Sequence, residues 1–184
     1  MNYRVYNLKG RKIMAIPQKS RNIWMSAWQV YRPATFKRLL IQRFMQFASL
    51  LKLDGFFCEI LKTPFGDTDH FLFQEWLEHV CIQIGLAYCE PVIIWPPQVD
   101  RGRIYVHLLD LDKNPAGFVK ISLDRHNDKC LTSEVCNLKI LNSRQMQTFH
   151  VPSVLAHGTW RDHIYIVTEP LPLIADPVFA KNKK

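Results

Sequence analysis

The sequence lacks the features that mark membrane-spanning, secreted and metal-clustered proteins. It contains no run near the ~18 uninterrupted apolar residues of a membrane-spanning helix. Its N-terminus has no apolar signal core, because Arg4, Lys9, Arg11 and Lys12 interrupt it. The five cysteines form an odd set without a Cys-x-x-Cys spacing. The odd number of cysteines and the missing Cys-x-x-Cys spacing argue against a zinc cluster or a disulfide framework. Free thiols in a reducing cytoplasm are therefore predicted.

Acidic residues are absent from the first 50 positions. That segment contains ten Lys and Arg and no Asp or Glu, whereas the other 134 residues contain fourteen basic and sixteen acidic side chains. The formal net charge of +8 therefore comes from the N-terminal segment. A field of one sign attracts an anionic membrane surface, an acidic partner protein or nucleic acid. Nucleic acid is the least favoured of these, because the sequence contains no recognisable nucleic-acid-binding motif.

Two helices are predicted in the first half of the chain. Over 34–53 the spacing places large apolar residues on one helix face. These residues are Phe36, Leu40, Phe44, Phe47 and Leu51. We expect this stripe to pack against the fold, as most amphipathic helices of globular chains do; the alternative is a helix lying on an anionic membrane surface. The second predicted helix covers 70–86.

The second half of the chain follows the alternation typical of strands. Strands are predicted at 91–95, 104–110, 118–123, 152–156 and 163–168, with a turn at 157–159 and a helix at 131–142. Lys120 lies in the third strand, and Glu134 lies on the apolar face of the helix that follows. Burying an unpaired carboxylate on this face would cost on the order of several kcal/mol of folding free energy. Such a carboxylate must meet a cation, reach water or take up a proton. Lys120 is the nearest inward cation, and we therefore predict that Lys120 and Glu134 meet.

These elements predict an α+β fold. Its parts are a basic helical N-terminal segment (1–86), a five-stranded antiparallel sheet with one packed helix (87–174) and a basic tail (175–184). The short segment 124–128 (DRHND) is interpreted as a solvated strand-to-helix connection, because consecutive loop residues rarely converge on one metal ion.

Three stretches resemble one family. AGFVKIS (116–122), SEVCNLKIL (133–141) and VPSVLAHGTWRDHIYIVTEPLP (151–172) resemble the nucleotide-binding lobe of the aminoglycoside phosphotransferase and choline-kinase-like branch of the protein-kinase fold. In that family a lysine on the third strand binds the α- and β-phosphates of ATP and is held by a helix glutamate. The resemblance implies that Lys120 and Glu134 are this pair. It also implies that Glu169 and Leu171 lie in the hinge, whose backbone contacts adenine.

The loop at 96–103 departs from the family. A phosphate-covering loop is rich in glycine, but this one contains only Gly102, flanked by Arg101 and Arg103. The two arginines could contact phosphate through their side chains, and a plain solvent-exposed hairpin turn is an equal alternative.

The parts of the family that perform catalysis are not found in the sequence. His157 and Gly158 resemble the start of a catalytic loop, but Thr159 stands where the aspartate should be. We therefore expect a truncated or degenerate phosphotransferase lobe that binds ATP weakly, has no magnesium ligands and is inactive alone. An exposed apolar surface and poor solubility are expected of such a lobe.

A second resemblance suggests a partner for such a lobe. The segment 28–33 (WQVYRP) is similar to the leader of kinase-like proteins encoded near polysaccharide-assembly enzymes. It implies a link to sugar or polysaccharide phosphorylation, with a second lobe or a polysaccharide-assembly protein as partner. A non-enzymatic interaction module, and a protein peripheral to an anionic membrane, remain alternatives.

Overall fold

The computed structural model describes residues 2–8, 10–18, 27, 40, 43–44, 46–48, 58–62, 65, 70–96, 102–144 and 150–170. The predicted leader motif at 28–33 and the basic tail at 175–184 lie outside these residues, as do Arg101 and Leu171.

Eight strands form one antiparallel sheet in the described part of the chain, in the order β3-β1-β2-β4-β5-β6-β8-β7. The strands are β1 (Tyr3–Leu8), β2 (Arg11–Pro17), β3 (Cys58–Leu61), β4 (Glu90–Ile94), β5 (Arg103–Leu109), β6 (Pro115–Ser122), β7 (Val154–Trp160) and β8 (His163–Thr168). Two continuous helices accompany them, α1 (His70–Gln83) and α2 (Arg125–Ser143). Further helical residues are found at 27, 40, 43–44 and 46–48.

The fold is α+β, as expected, but the predicted five-stranded sheet with one helix is wrong. β1, β2 and β3 extend the five predicted strands into a sheet of eight. β2 joins β4 through the pairs Met14–Ile94 and Ala15–Ile93. The basic charges of the first residues concealed an alternating pattern, in which Tyr3 and Val5 are buried on one face of the sheet. The N-terminal segment is therefore not a purely helical leader.

The two helices cover opposite faces of the sheet. On α1, Phe73, Trp76 and Val80 pack in one core cluster with Val119 and Ile121 of β6. The residue between those two, Lys120, points to the other face, because successive strand residues alternate. On that other face α2 packs against β6, β7 and β8. Its buried contact residues, Leu131 and Val135, meet Ile166 of β8.

Several predicted boundaries need correction. β8 has the predicted bounds, and α1 begins where predicted but ends at Gln83 rather than at 86. The predicted turn at 157–159 lies inside β7. The chain reverses instead at Arg161 and Asp162, which both have positive φ. α2 begins at Arg125, six residues before the predicted helix, so that 125–128 form its first turn.

Two of the five cysteines depart from the prediction of free thiols. Cys81 in α1 and Cys89, which precedes β4, form a disulfide, and both residues are buried. The cysteines therefore no longer indicate a reducing compartment. In the part of the chain that the structure describes, no helix is both long and apolar enough to cross a membrane.

The apolar stripe predicted at 34–53 does not pack as expected. Leu40, Phe44 and Phe47 are 54%, 54% and 60% exposed, whereas Ala48 beside them is 3% exposed. The expectation that these three large side chains face the core is therefore wrong. Phe36 and Leu51 lie outside the described residues.

Candidate functional site

The site is built around the start of α2. Asp124 has an extended backbone and caps the helix, because its carboxylate accepts a hydrogen bond of 2.7 Å from the backbone N–H of Asn127. This bond is the main reason that the pKa of Asp124 lies below its usual value. The cap fixes where α2 begins and hence which of its residues face β6.

The predicted contact between Lys120 and Glu134 is confirmed. The Lys120 ammonium donates a hydrogen bond to Oε1 of Glu134. The two side chains are 23% and 26% exposed, so each retains access to solvent. Lys120 belongs to the third strand of the series β4, β5 and β6, and Glu134 belongs to the helix that follows β6. An ammonium held this way can also meet an anion that approaches from solvent.

Arg103, at the start of β5, is the second cation beside Glu134. Its Nη1 lies 3.9 Å from Oε2 of Glu134, and its Nε donates a hydrogen bond of 2.6 Å to Oδ1 of Asn127. Asn127 in turn donates to Asp124 at 2.8 Å. A chain of hydrogen bonds therefore ties the beginning of β5 to the first turn of α2.

Gly102 lies within this chain of contacts and has a φ of +48°. Its carbonyl accepts a hydrogen bond of 2.7 Å from the backbone N–H of Leu123. A Cβ at position 102 would come within 1.8 Å of the Asp124 carboxylate. The glycine predicted for a phosphate loop is therefore required here for close packing against the α2 cap.

Aromatic rings border Lys120 on the same face of the sheet. Tyr105 is paired directly with Lys120, and His107 with Phe118, across β5 and β6. The Phe118 ring centroid lies 4.7 Å from that of His107 and 5.6 Å from that of Tyr105. The Lys120 ammonium lies 5.8 Å from the Phe118 ring centroid. We call Tyr105, His107 and Phe118 the ring platform; all three rings are partly exposed.

Glu169 is engaged elsewhere in the fold. Its carboxylate accepts a hydrogen bond of 3.0 Å from the backbone N–H of Ser153 and lies 3.4 Å from Nε2 of His150. Its own N–H donates to the Ser153 carbonyl. The Glu169 side chain thus holds the segment before β7 against the end of β8, which is a structural role.

The acidic residues near the α2 start have structural partners. Asp128 accepts a hydrogen bond of 2.9 Å from the backbone N–H of Ile164, which holds the pKa of its carboxyl below the usual value. His163 lies 3.6 Å away from the same carboxylate. Within the described ranges, no group of three or more His, Cys, Asp or Glu side chains is placed to hold a metal ion.

Sequence reasoning missed Asn127 and the ring platform. Asn127 is 7% exposed and links Arg103 to Asp124. The signal that could have found it is the spacing of a capping residue and a polar residue three positions later. The ring platform required the register of β5 against β6, because residues from two strands form it.

Comparisons provide no independent test of the kinase-like resemblance. No protein-family model, no curated protein and no solved structure matches the chain.

Proposed function

We propose that this chain binds the phosphates of a nucleotide, with ATP as the first candidate, through the Lys120 ammonium. The observation that carries the proposal is the ion pair between Lys120 of β6 and Glu134 of α2. It has the same arrangement of parts as the kinase pair, a lysine on the third strand and a glutamate on the helix after it. Phosphate would bind beside Lys120, with Arg103 supplying a second positive charge at the same place.

The ring platform supports a nucleotide rather than a simple phosphate. Its rings lie on the Lys120 side of the sheet, and partly exposed rings can stack on a planar base. The kinase motif Val-Ala-Ile-Lys has alanine two residues before the lysine. Phe118 stands there in this chain, so the base would stack on a larger surface than in the family.

The proposed activity is binding without transfer. Phosphoryl transfer needs a positioned base and Mg²⁺ in addition to the lysine. No metal-binding cluster of acidic residues, histidines or cysteines occurs in the residues the structure covers. We expect γ-phosphate transfer by the purified chain to equal that of a Lys120→Met variant, measured with radiolabelled ATP and generic sugar acceptors.

Isothermal titration with ATP and Mg²⁺ tests the binding directly. Lys120→Ala should abolish the heat of binding, whereas Lys129→Ala, which removes an exposed lysine of the neighbouring helix α2, should leave it unchanged. Thermal unfolding without ligand shows whether each variant folds. Equal binding by the wild type and Lys120→Ala, with both folded, would refute the proposal.

A second titration separates the base from the phosphates. Phe118→Ala should weaken ATP binding by removing the stacking surface, but pyrophosphate, which has no base, should bind the variant and the wild type equally. A Phe118→Ala protein that binds ATP as tightly as the wild type would exclude the ring platform from the site.

A further inference from the structure

The described helical residues at 40, 43–44 and 46–48 present an apolar surface to solvent. Leu40, Phe44 and Phe47 are each more than half exposed. At 100° per residue of an α-helix they fall within about 60° of the helix circumference, so they form one stripe. Ala48 lies next to this stripe and is 3% exposed. Ala48 is thus covered by the protein, whereas the stripe, defined as Leu40, Phe44 and Phe47, is directed outward.

Positive charge borders the stripe. Arg43 is exposed, lies one helical turn from Leu40 and from Phe47, and donates a hydrogen bond to Gln46. In the sequence, the stripe belongs to a stretch of 50 residues with ten basic and no acidic side chains. An occupant of this surface must therefore offer both an apolar interior and negative charge.

We propose that the stripe inserts into an anionic lipid surface, with Arg43 beside it meeting the headgroups. A helix of this composition lies in the interface, with its apolar face among the acyl chains and its cations at the phosphates. A second copy of the chain would bring the same positive charge to the contact, and like charges repel. Nucleic acid would supply negative charge but no apolar interior. This proposal is independent of nucleotide binding at Lys120.

Sedimentation with lipid vesicles tests the proposal on the full chain. The wild type should pellet with vesicles that contain phosphatidylglycerol and remain in solution with vesicles of phosphatidylcholine alone. Raised salt should reduce the bound fraction, because it screens the charges at the surface. Equal binding to both kinds of vesicle, or binding to neither, would overturn the proposal.

Matched variants assign the binding to the stripe. Phe47→Ser should reduce the bound fraction several-fold, whereas Ile82→Ser should not, although Ile82 is 75% exposed on α1. Both positions are on the surface, so both variants should melt at the wild-type temperature. Equal binding by the two variants would exclude the stripe as the contact. Light scattering that shows a dimer dispersed by Phe47→Ser would identify a second copy as the occupant, and would also overturn the proposal.

Insertion is distinguished from adsorption by a fluorescence probe. In a Phe47→Trp variant, the spectrum after subtraction of the wild-type signal should shift to shorter wavelength when phosphatidylglycerol vesicles are added. An unchanged difference spectrum in a protein that still pellets would mean that charge alone holds the chain to the vesicle, and that the stripe does not insert.

Discussion

At the scale of single residues, Glu134 organises the site by holding two cations from different strands. Lys120 reaches it from β6 and Arg103 from β5. Each cation reduces the cost of keeping the carboxylate partly buried, and the remaining exposure of about a quarter leaves room for an incoming anion. This arrangement makes Glu134 the group that positions both cations.

At Gly102, the structure predicts that adding a side chain would destabilise the protein. Gly102→Ala should lower the free energy of unfolding by about 3 kcal/mol, because the backbone is left-handed and the new Cβ would overlap the Asp124 carboxylate. Gly85→Ala is the matched control: its φ is also positive, but nothing lies within 4 Å of the new atom. It should lose only about 1 kcal/mol. Urea unfolding measures both losses, and equal values would contradict the predicted clash.

At the scale of elements, the position of α2 is fixed by two carboxylates at its beginning. Asp124 caps the helix and Asp128 binds the backbone of β8. Hydrogen bonds from backbone N–H groups stabilise the ionised form of both, so both pKa values are lower in the folded chain than the ordinary 3.8. The attachment of α2, and with it the position of Glu134, depends on these ionised groups.

The lowered pKa values predict that the folded chain loses stability in acid. A carboxyl group with a lowered folded pKa takes up its proton at higher pH in the unfolded chain, so its contribution to stability is complete well above pH 3.8. That contribution is lost as the pH falls through the folded value. Urea unfolding between neutral pH and about pH 3 should show this loss, and Asp128→Asn should make it smaller. An identical pH profile in the variant would show that Asp128 does not contribute.

At the scale of the whole molecule, one sheet connects the N-terminal segment to the strands that bear the site. β2 supplies the neighbour of β4, and α1 covers the sheet face opposite Lys120. The division into 1–86 and 87–174 nevertheless remains a prediction, which a fragment can test.

The fragment 87–174 should not behave as a folded monomer. Without β2 the edge of β4 would lose its partner, and Val92, Ile93 and Ile94, which are at most 9% exposed in the whole chain, would lose neighbours. Unprotected apolar edge strands associate. Light scattering should give a mass above that of the monomer, with the full chain as reference. A monomeric fragment with a cooperative melt would instead support the predicted division.

Local patterns were sufficient for the elements around the site. The alternation of Ile104, Val106 and Leu108 predicted β5, and the apolar spacing of α2 predicted the direction of Glu134. The contact between Lys120 and Glu134 was predicted because an inward carboxylate is costly without a partner, and Lys120 is the nearest inward cation on the preceding strand. These inferences succeeded because periodicity and the cost of buried charge act locally along the chain.

The sequence by itself thus determined which residues of β5 and of β6 share a face, and that Lys120 of β6 meets Glu134 of α2. Only the tertiary structure decided that β1, β2 and β3 extend the sheet, that Arg103 reaches Glu134, that Cys81 meets Cys89 and that the stripe faces solvent. Each of these depends on contacts between segments far apart in the sequence. Periodicity shows which side of an element is apolar, but the packing of the whole chain decides what, if anything, covers that side.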